Sequence, residues 1–139
     1  MNKRLAKTLL QAVESCPHPI EEEGGIILAK DDEYCFVKVK NIHKGTDTAA
    51  GLYETDQTEL KENVLTKVAD GWKFYASFHT HPKYTPTPSS LDLEKLFQGF
   101  KYNAIYSPVR EIFSYSQWLG EKSSPYYIPK TTLEALINA

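Results

Sequence analysis

The sequence contains little cysteine, no long apolar run and no excess of basic residues. Its two cysteines, Cys16 and Cys35, are too few for a disulfide framework, so we expect a reducing compartment. The longest apolar run covers residues 25–29, far short of the roughly 20 residues that a membrane-spanning helix needs. These absences argue against a disulfide-rich secreted scaffold and against a membrane protein.

The N-terminal segment does not have the composition of a targeting signal. Lys3 and Arg4 are basic, but the apolar positions that follow are interrupted at Lys7, Gln11 and Glu14. A secretory signal would need an unbroken apolar stretch after its basic residues. We therefore expect no signal peptide and a cytoplasmic location.

Charge and length narrow the class of protein further. Sixteen basic residues against eighteen acidic ones give a net charge of −2, which argues against a generic nucleic-acid binder. Aromatic residues at 12% and charged residues at 24% argue against a disordered chain. The 139 residues suit one domain, which we take to cover residues 1–139.

Hydrophobic periodicity and turn residues divide the chain into alternating helices and strands. Helical spacing of apolar residues predicts helices at 4–15, 58–69, 91–97 and 131–137. Alternating or continuous apolar residues predict strands at 26–29, 34–42, 52–53, 72–78, 102–106 and 111–115. Turn and proline signals predict loops at 30–33, 43–50, 82–88 and 120–129. This pattern predicts an α/β fold in which helices pack on a mixed sheet.

His79-x-His81 is the sharpest local motif. At the end of a strand, this spacing directs both imidazoles to one face, where they suit a divalent ion, zinc first. Asp92 follows His81 by eleven residues, in the first turn of a predicted helix, and the proline-rich loop could bring its carboxylate back to the pair. Two histidines and one carboxylate would leave a fourth zinc position open, as in catalytic sites. Alternatively, the histidines are ordinary strand residues and Ser89 only caps the helix.

With its flanking residues, the motif resembles the signature of the JAMM (JAB1/MPN/Mov34) metalloproteases. Seven residues separate His81 from Ser89-x-x-Asp92, and upstream Glu22 stands in a Glu-x-x-Gly-apolar setting before a strand. Ala29 occupies a position where many relatives have glycine. The resemblance implies a cytidine deaminase-like α/β/α sandwich with a central mixed β-sheet, the JAB/MPN fold.

The resemblance also implies a role for each motif residue. His79, His81 and Asp92 would hold one zinc ion per chain. Glu22 would accept a proton from the attacking water and pass it to the leaving amine. Ser89 would donate a hydrogen bond to the oxyanion of the tetrahedral intermediate.

Glu22 lies between two other glutamates, so the run offers more than one candidate for the catalytic carboxylate. Such a run is often only a solvated acidic segment. Glu23 would point to the opposite face if the strand begins this early. Glu21 remains an alternative, although its distance to Gly25 fits the family pattern less well.

The substrate that the resemblance implies is a peptide or isopeptide bond after the C-terminal tail of a ubiquitin-like protein. The chain is short after Asp92 and contains no cysteine there, which is typical of a compact prokaryotic relative. The implied partners are ubiquitin-like or sulfur-carrier proteins as substrates, together with bacterial E1/E2-like operon partners. Tyr84 and Thr85, in the loop that would border the metal, are candidate substrate-binding residues.

Two other functions remain open at this stage. One is a non-catalytic MPN-type scaffold, because the family includes members used only for assembly. The other is a zinc hydrolase that acts on sulfur-carrier adducts or small amides.

Overall fold

The computed structural model describes residues 1–39, 58, 60–88, 100–119 and 123–139, and the statements below concern these residues. The helices are α1 (Lys3–Ser15), α2 (Thr66–Ala69), which follows a π-helical turn at Leu60–Leu65, and α3 (Lys130–Ile137). The strands are β1 (Gly24–Lys30), β2 (Glu33–Val39), β3 (Lys73–Thr80), β4 (Tyr102–Ser107), β5 (Ile112–Trp118) and β6 (Ser123–Pro129).

The six strands form one mixed sheet in the order β2-β1-β3-β4-β5-β6. Strands β3 and β4 pair in parallel, and the remaining neighbours pair antiparallel. The hairpin between β1 and β2 turns at Asp31, whose φ of 54° is tolerated by a short polar side chain. The mixed sheet confirms the predicted α/β fold.

Apolar side chains alternate between the two faces of β1, which is buried along most of its length. Ile27 packs with the buried face of α1 and with Leu133 of α3 in one cluster. Ile26 and Leu28 pack in a second cluster with Val64 of the π-helical turn. Both faces of the sheet are therefore covered, which gives the layered arrangement expected for an α/β/α sandwich.

Helix α1 begins where the sequence provides a cap. The Asn2 side chain accepts a hydrogen bond from the Leu5 N–H at 2.8 Å, satisfying one of the amides that the first turn leaves free. Leu5 and Leu9 then share one buried face of the helix. Deep burial of one leucine side chain contributes about 1.5–3 kcal/mol, so this face anchors the helix to the sheet.

The predicted loop at 120–129 is wrong for most of its length, because Ser123–Pro129 forms β6. The segment contains Pro125 and Pro129, and proline is typical of loops. Within the described residues β6 pairs only with β5, and an edge strand tolerates proline where a central strand does not. The predicted helix at 58–69 is also only partly correct, since Leu60–Leu65 is π-helical.

Some predicted elements lie outside the described residues: the strand end at 40–42, the loop at 43–50, the short strand at 52–53 and the helix at 91–97. Among the residues that are described, no helix has both the length and the apolar character needed to cross a membrane.

Candidate metal centre

Strand β3 carries the two histidines to its C-terminal end. His79 is the penultimate residue of the strand and His81 follows directly after it, where its N–H donates to the Tyr106 carbonyl at 2.9 Å. The period of two places both rings on one face. His79 is fully buried, His81 is 5% exposed, and their Nε2 atoms lie 3.1 Å apart. The two imidazoles therefore converge in the structure, as their spacing predicts.

Glu22 reaches this pair because the chain approaches β3 very closely at Gly24. A Cβ atom at Gly24 would lie 2.1 Å from the Phe78 carbonyl oxygen and 2.8 Å from the His79 Cα. Only glycine permits such an approach. Glu22, two residues before Gly24, is 4% exposed, and its Oε1 atom lies 3.8 Å from the His79 Nε2 atom.

The three consecutive glutamates have different environments. The Glu21 side chain is 71% exposed and lies 3.9 Å from the His18 ring. The Glu23 carboxylate contacts the Lys38 Nζ atom at 2.6 Å and accepts the His18 N–H at 2.6 Å. Of the three carboxylates, Glu22 is therefore the one that the fold turns towards the histidines, and the acidic run is not simply a solvated segment.

The loop after β3 determines which nitrogen of His81 faces the other donors. The His81 Nδ1 atom lies 2.9 Å from the Thr85 carbonyl oxygen. A carbonyl can only accept, so this hydrogen bond places the proton on Nδ1 and leaves the Nε2 lone pair directed at His79. Metal-binding histidines commonly have their other ring nitrogen held in this way.

Glu22, His79 and His81 together form a group that could hold a metal ion, with all three donor atoms within 4.8 Å of one another. Two nitrogen ligands at ~2.0–2.1 Å on a tetrahedral zinc would be roughly 3.3 Å apart, close to the 3.1 Å between the two Nε2 atoms. Without a metal, the same separation permits a hydrogen bond from His79 to His81. The imidazole and carboxylate donors suit zinc, so the residues present fit the metal implied by the motif.

The other predicted site residues are placed as follows. Ser89 and Asp92 lie outside the described residues, so their proposed roles stay predictions. Tyr84 is 60% exposed, and its carbonyl accepts a hydrogen bond from Ser107. The Thr85 side chain is also exposed, while its carbonyl faces His81. Neither position tests the predicted contact with a substrate.

Sequence reasoning missed several residues that support the site. Thr80 contacts Glu23 between β1 and β3, and Ser107 and Ser114 hold the loop after β3 through its carbonyls. The position of Thr80 between the two histidines was a usable signal. No pattern marked the two serines, because a hydroxyl that binds a distant carbonyl has no characteristic spacing.

The two cysteines do not have the exposed environment of a reactive thiol. Cys16 is buried, and burial raises the pKa of its thiol to about 12, which keeps it protonated at neutral pH. Cys35 is half-buried on β2, where its Sγ atom contacts the neighbouring Phe36 carbonyl at 3.9 Å. Among the described residues, the group that could hold a metal ion is therefore Glu22, His79 and His81.

The fold and the buried donor group define an α/β domain with a candidate metal centre. A family model described as prokaryotic homologs of the JAB domain (Prok-JAB) matches residues 5–120. The chain therefore belongs to this family, which confirms the membership that the motif indicated. Among curated proteins, none matches this sequence.

Two solved structures have a similar fold. Protein DSY2949 from Desulfitobacterium hafniense aligns with a TM-score of 0.59 and 20% identity, covering 89% of this chain and 86% of that one. AF2198, a JAB1/MPN domain protein from Archaeoglobus fulgidus, aligns with a TM-score of 0.50 and 22% identity, covering 93% of this chain and 97% of that one. At such identities the similarity establishes the fold alone, and it supports the predicted JAB/MPN architecture.

Proposed function

We propose that this chain is a zinc-dependent metallopeptidase that hydrolyses the peptide or isopeptide bond after the C-terminal tail of a ubiquitin-like protein. The observation that carries the proposal is the buried group of Glu22, His79 and His81, whose donor atoms lie within 4.8 Å of one another. Clustered, buried, ionisable side chains are characteristic of functional sites, because burial of such groups is otherwise unfavourable.

In this proposal, His79 and His81 hold the metal through their Nε2 atoms, and Asp92 is the third ligand. When bound, zinc supplies Lewis-acid chemistry that polarises the scissile carbonyl and makes water a nucleophile near neutral pH. The hydrogen bond from His81 Nδ1 to the Thr85 carbonyl, at 2.9 Å, supports the ligand role because it orients the ring and leaves the Nε2 lone pair available.

Glu22 moves the proton. Its carboxylate accepts a proton from the attacking water and later delivers it to the leaving amine, so one side chain serves both steps. The position supports this role, since Glu22 Oε1 lies 3.8 Å from His79 Nε2 and the side chain is 5% exposed. Ser89 is proposed to stabilise the oxyanion with its hydroxyl, a contribution commonly worth ~3–4 kcal/mol.

The proposed substrates are ubiquitin-like or sulfur-carrier proteins, in association with bacterial E1/E2-like operon partners. A glycine-ended tail is slim enough to lie extended beside a metal in a narrow groove. Tyr84, which is 60% exposed in the loop after His81, and Thr85 are proposed to contact that tail. The free Cys16 and Cys35 accord with a reducing cytoplasm.

The deciding experiment compares Glu22→Gln with Glu21→Gln, which makes the same charge change on the exposed neighbour. We would measure zinc per chain by elemental analysis and cleavage of a panel of tail-extended ubiquitin-like proteins and small amides. We expect about one zinc in each protein, with turnover about 10²–10⁴-fold lower for Glu22→Gln and unchanged for Glu21→Gln.

Other outcomes would redirect the assignment. A wild-type protein that takes up no zinc after reconstitution near neutral pH would remove the hydrolase mechanism and favour a non-catalytic scaffold. Turnover of small amides or sulfur-carrier adducts, without cleavage of tail-extended proteins, would keep the chemistry and replace the substrate class.

A further inference from the structure

Three consecutive carbonyls of the loop after β3 have separate hydrogen-bond donors. The Ser107 hydroxyl donates to the Tyr84 carbonyl at 2.6 Å, and the Ser114 hydroxyl donates to the Pro86 carbonyl at 2.6 Å. Between them, the Thr85 carbonyl accepts the hydrogen bond from His81 Nδ1 at 2.9 Å. The first and third carbonyls thus bind the sheet, while the second binds the imidazole.

This arrangement follows from what a proline-rich loop lacks. Proline has no N–H and interrupts regular structure, so the loop carbonyls need donors from elsewhere in the fold. Ser107 and Ser114 lie on neighbouring strands, β4 and β5, and both are fully buried. A buried hydroxyl is itself costly unless it is hydrogen-bonded, so each contact satisfies both partners.

We propose that Ser107 and Ser114 are positioning residues for the metal centre. By fixing the carbonyls of Tyr84 and Pro86, they direct the Thr85 carbonyl at His81 and hold that ring in the tautomer with its Nε2 lone pair facing His79. Among the described donors, neither serine hydroxyl bonds to Glu22, His79 or His81, so we expect them to act through the loop. This inference rests on the proposed function, because the orientation matters for a metal bound at these histidines.

The chain provides a closely matched control. Ser116 lies two residues from Ser114 on the same strand and is equally buried, but its hydroxyl makes no hydrogen bond to any described residue. Removal of its hydroxyl should leave the loop untouched. Ser114→Ala and Ser116→Ala therefore make the same chemical change on one strand, and only the first releases a loop carbonyl.

The experiment measures two properties of Ser107→Ala, Ser114→Ala and Ser116→Ala. Zinc dissociation constants come from competition with a chromophoric chelator, and the His81 tautomer comes from histidine ¹⁵N chemical shifts in metal-free protein. We expect zinc binding to weaken about 10–100-fold in the first two variants and to stay at the wild-type level in Ser116→Ala. We also expect the His81 shifts to move from the Nδ1–H tautomer towards a mixture only in the first two.

The two readouts separate the inference from the proposed function. If the wild type binds no zinc, the metal function fails, but the tautomer shifts still decide whether the serines position His81. Wild-type zinc affinity and unchanged shifts in both loop variants would overturn the inference. If one of the two variants does not fold, the other still tests the inference. Ser114→Thr keeps the hydroxyl and should therefore bind zinc more tightly than Ser114→Ala.

Discussion

Thr80 and Glu23 bind each other at the point where β1 and β3 bring the candidate site together. The Thr80 N–H donates to the Glu23 carbonyl at 2.8 Å, and the Thr80 Oγ1 atom accepts the Glu23 N–H at 3.1 Å. Thr80 separates the two histidines, and Glu23 follows Glu22 directly. This pair therefore sets how far the carboxylate lies from the imidazoles.

We expect Thr80→Val to weaken both the fold and the metal site. Thr80 is 2% exposed, and its hydroxyl accepts the partly buried Glu23 N–H, so we expect loss of this acceptor to cost about 1–3 kcal/mol. Denaturant unfolding and zinc affinity would measure the two effects. Thr80→Ser keeps the hydroxyl and should stay within about 1 kcal/mol of the wild type in stability. Equal behaviour of the two variants would rule out a role for the hydroxyl.

Gly24→Ala is expected to disrupt the approach of β1 to β3. The added Cβ would lie 2.1 Å from the Phe78 carbonyl oxygen, a separation that backbone atoms cannot tolerate, so we expect a loss of about 3 kcal/mol or more. Gly25→Ala is the matched change, because its Cβ would lie 2.1 Å from the Val37 carbonyl oxygen on the other neighbouring strand. Both should lower the midpoint of urea unfolding.

Zinc affinity separates these two glycine variants. Only Gly24→Ala displaces the chain beside His79, so only this variant should also lose zinc affinity when measured below its unfolding midpoint. Wild-type stability in both variants would contradict the close packing of β1. Equal loss of zinc affinity in both would contradict a specific role for Gly24 at the site.

The predictable part of the site was the part governed by ligand chemistry. Few residue types bind zinc, and a spacing of two on a strand places His79 and His81 on one face, so their convergence followed from the sequence. The choice of Glu22 among three adjacent glutamates rested on the family resemblance, because the local pattern does not show where β1 begins to pair with β3. That register is determined by close backbone packing at Gly24, a tertiary contact with no local pattern.

The supporting contacts could not be predicted for a related reason. Ser107 and Ser114 bind carbonyls 23 and 28 residues earlier in the chain, and any hydroxyl at the right place would serve. The strand β6 was missed because Pro125 and Pro129 resemble loop residues, and only the position of β6 at the described edge of the sheet makes them acceptable.

The free energy of unfolding should fall in alkaline solution, because ionisable groups are buried in their neutral form. Burial raises the pKa of the Cys16 thiol from its ordinary value of 9.0 to about 12, and burial raises the pKa of Tyr115 as well. The unfolded chain releases the thiol proton near pH 9 and the folded chain does not. The contribution of Cys16 is therefore complete below about pH 9 and is lost as the pH rises towards about 12.

Urea unfolding of metal-free protein between pH 8 and pH 11 would measure this loss. Each pH unit above the unfolded pKa removes at most about 1.4 kcal/mol per group that ionises only on unfolding. Cys16→Ala should flatten the decline. Identical slopes in the wild type and in Cys16→Ala would contradict the assignment of the effect to Cys16.

Zinc should raise the Tm of the wild type but not that of a variant that lacks Asp92, the third predicted ligand. A metal that binds only the folded state adds about 2.7 kcal/mol at a free concentration one hundred times its dissociation constant, and this appears as a rise in Tm. Asp92→Ala should lose most of that rise, because two imidazoles without a carboxylate hold zinc weakly. Asp32→Ala, in the exposed turn between β1 and β2, provides the control and should keep it. If Asp92→Ala retains the full zinc-dependent rise, Asp92 is not a ligand, and the carboxylate of Glu22 becomes the oxygen donor that completes the site.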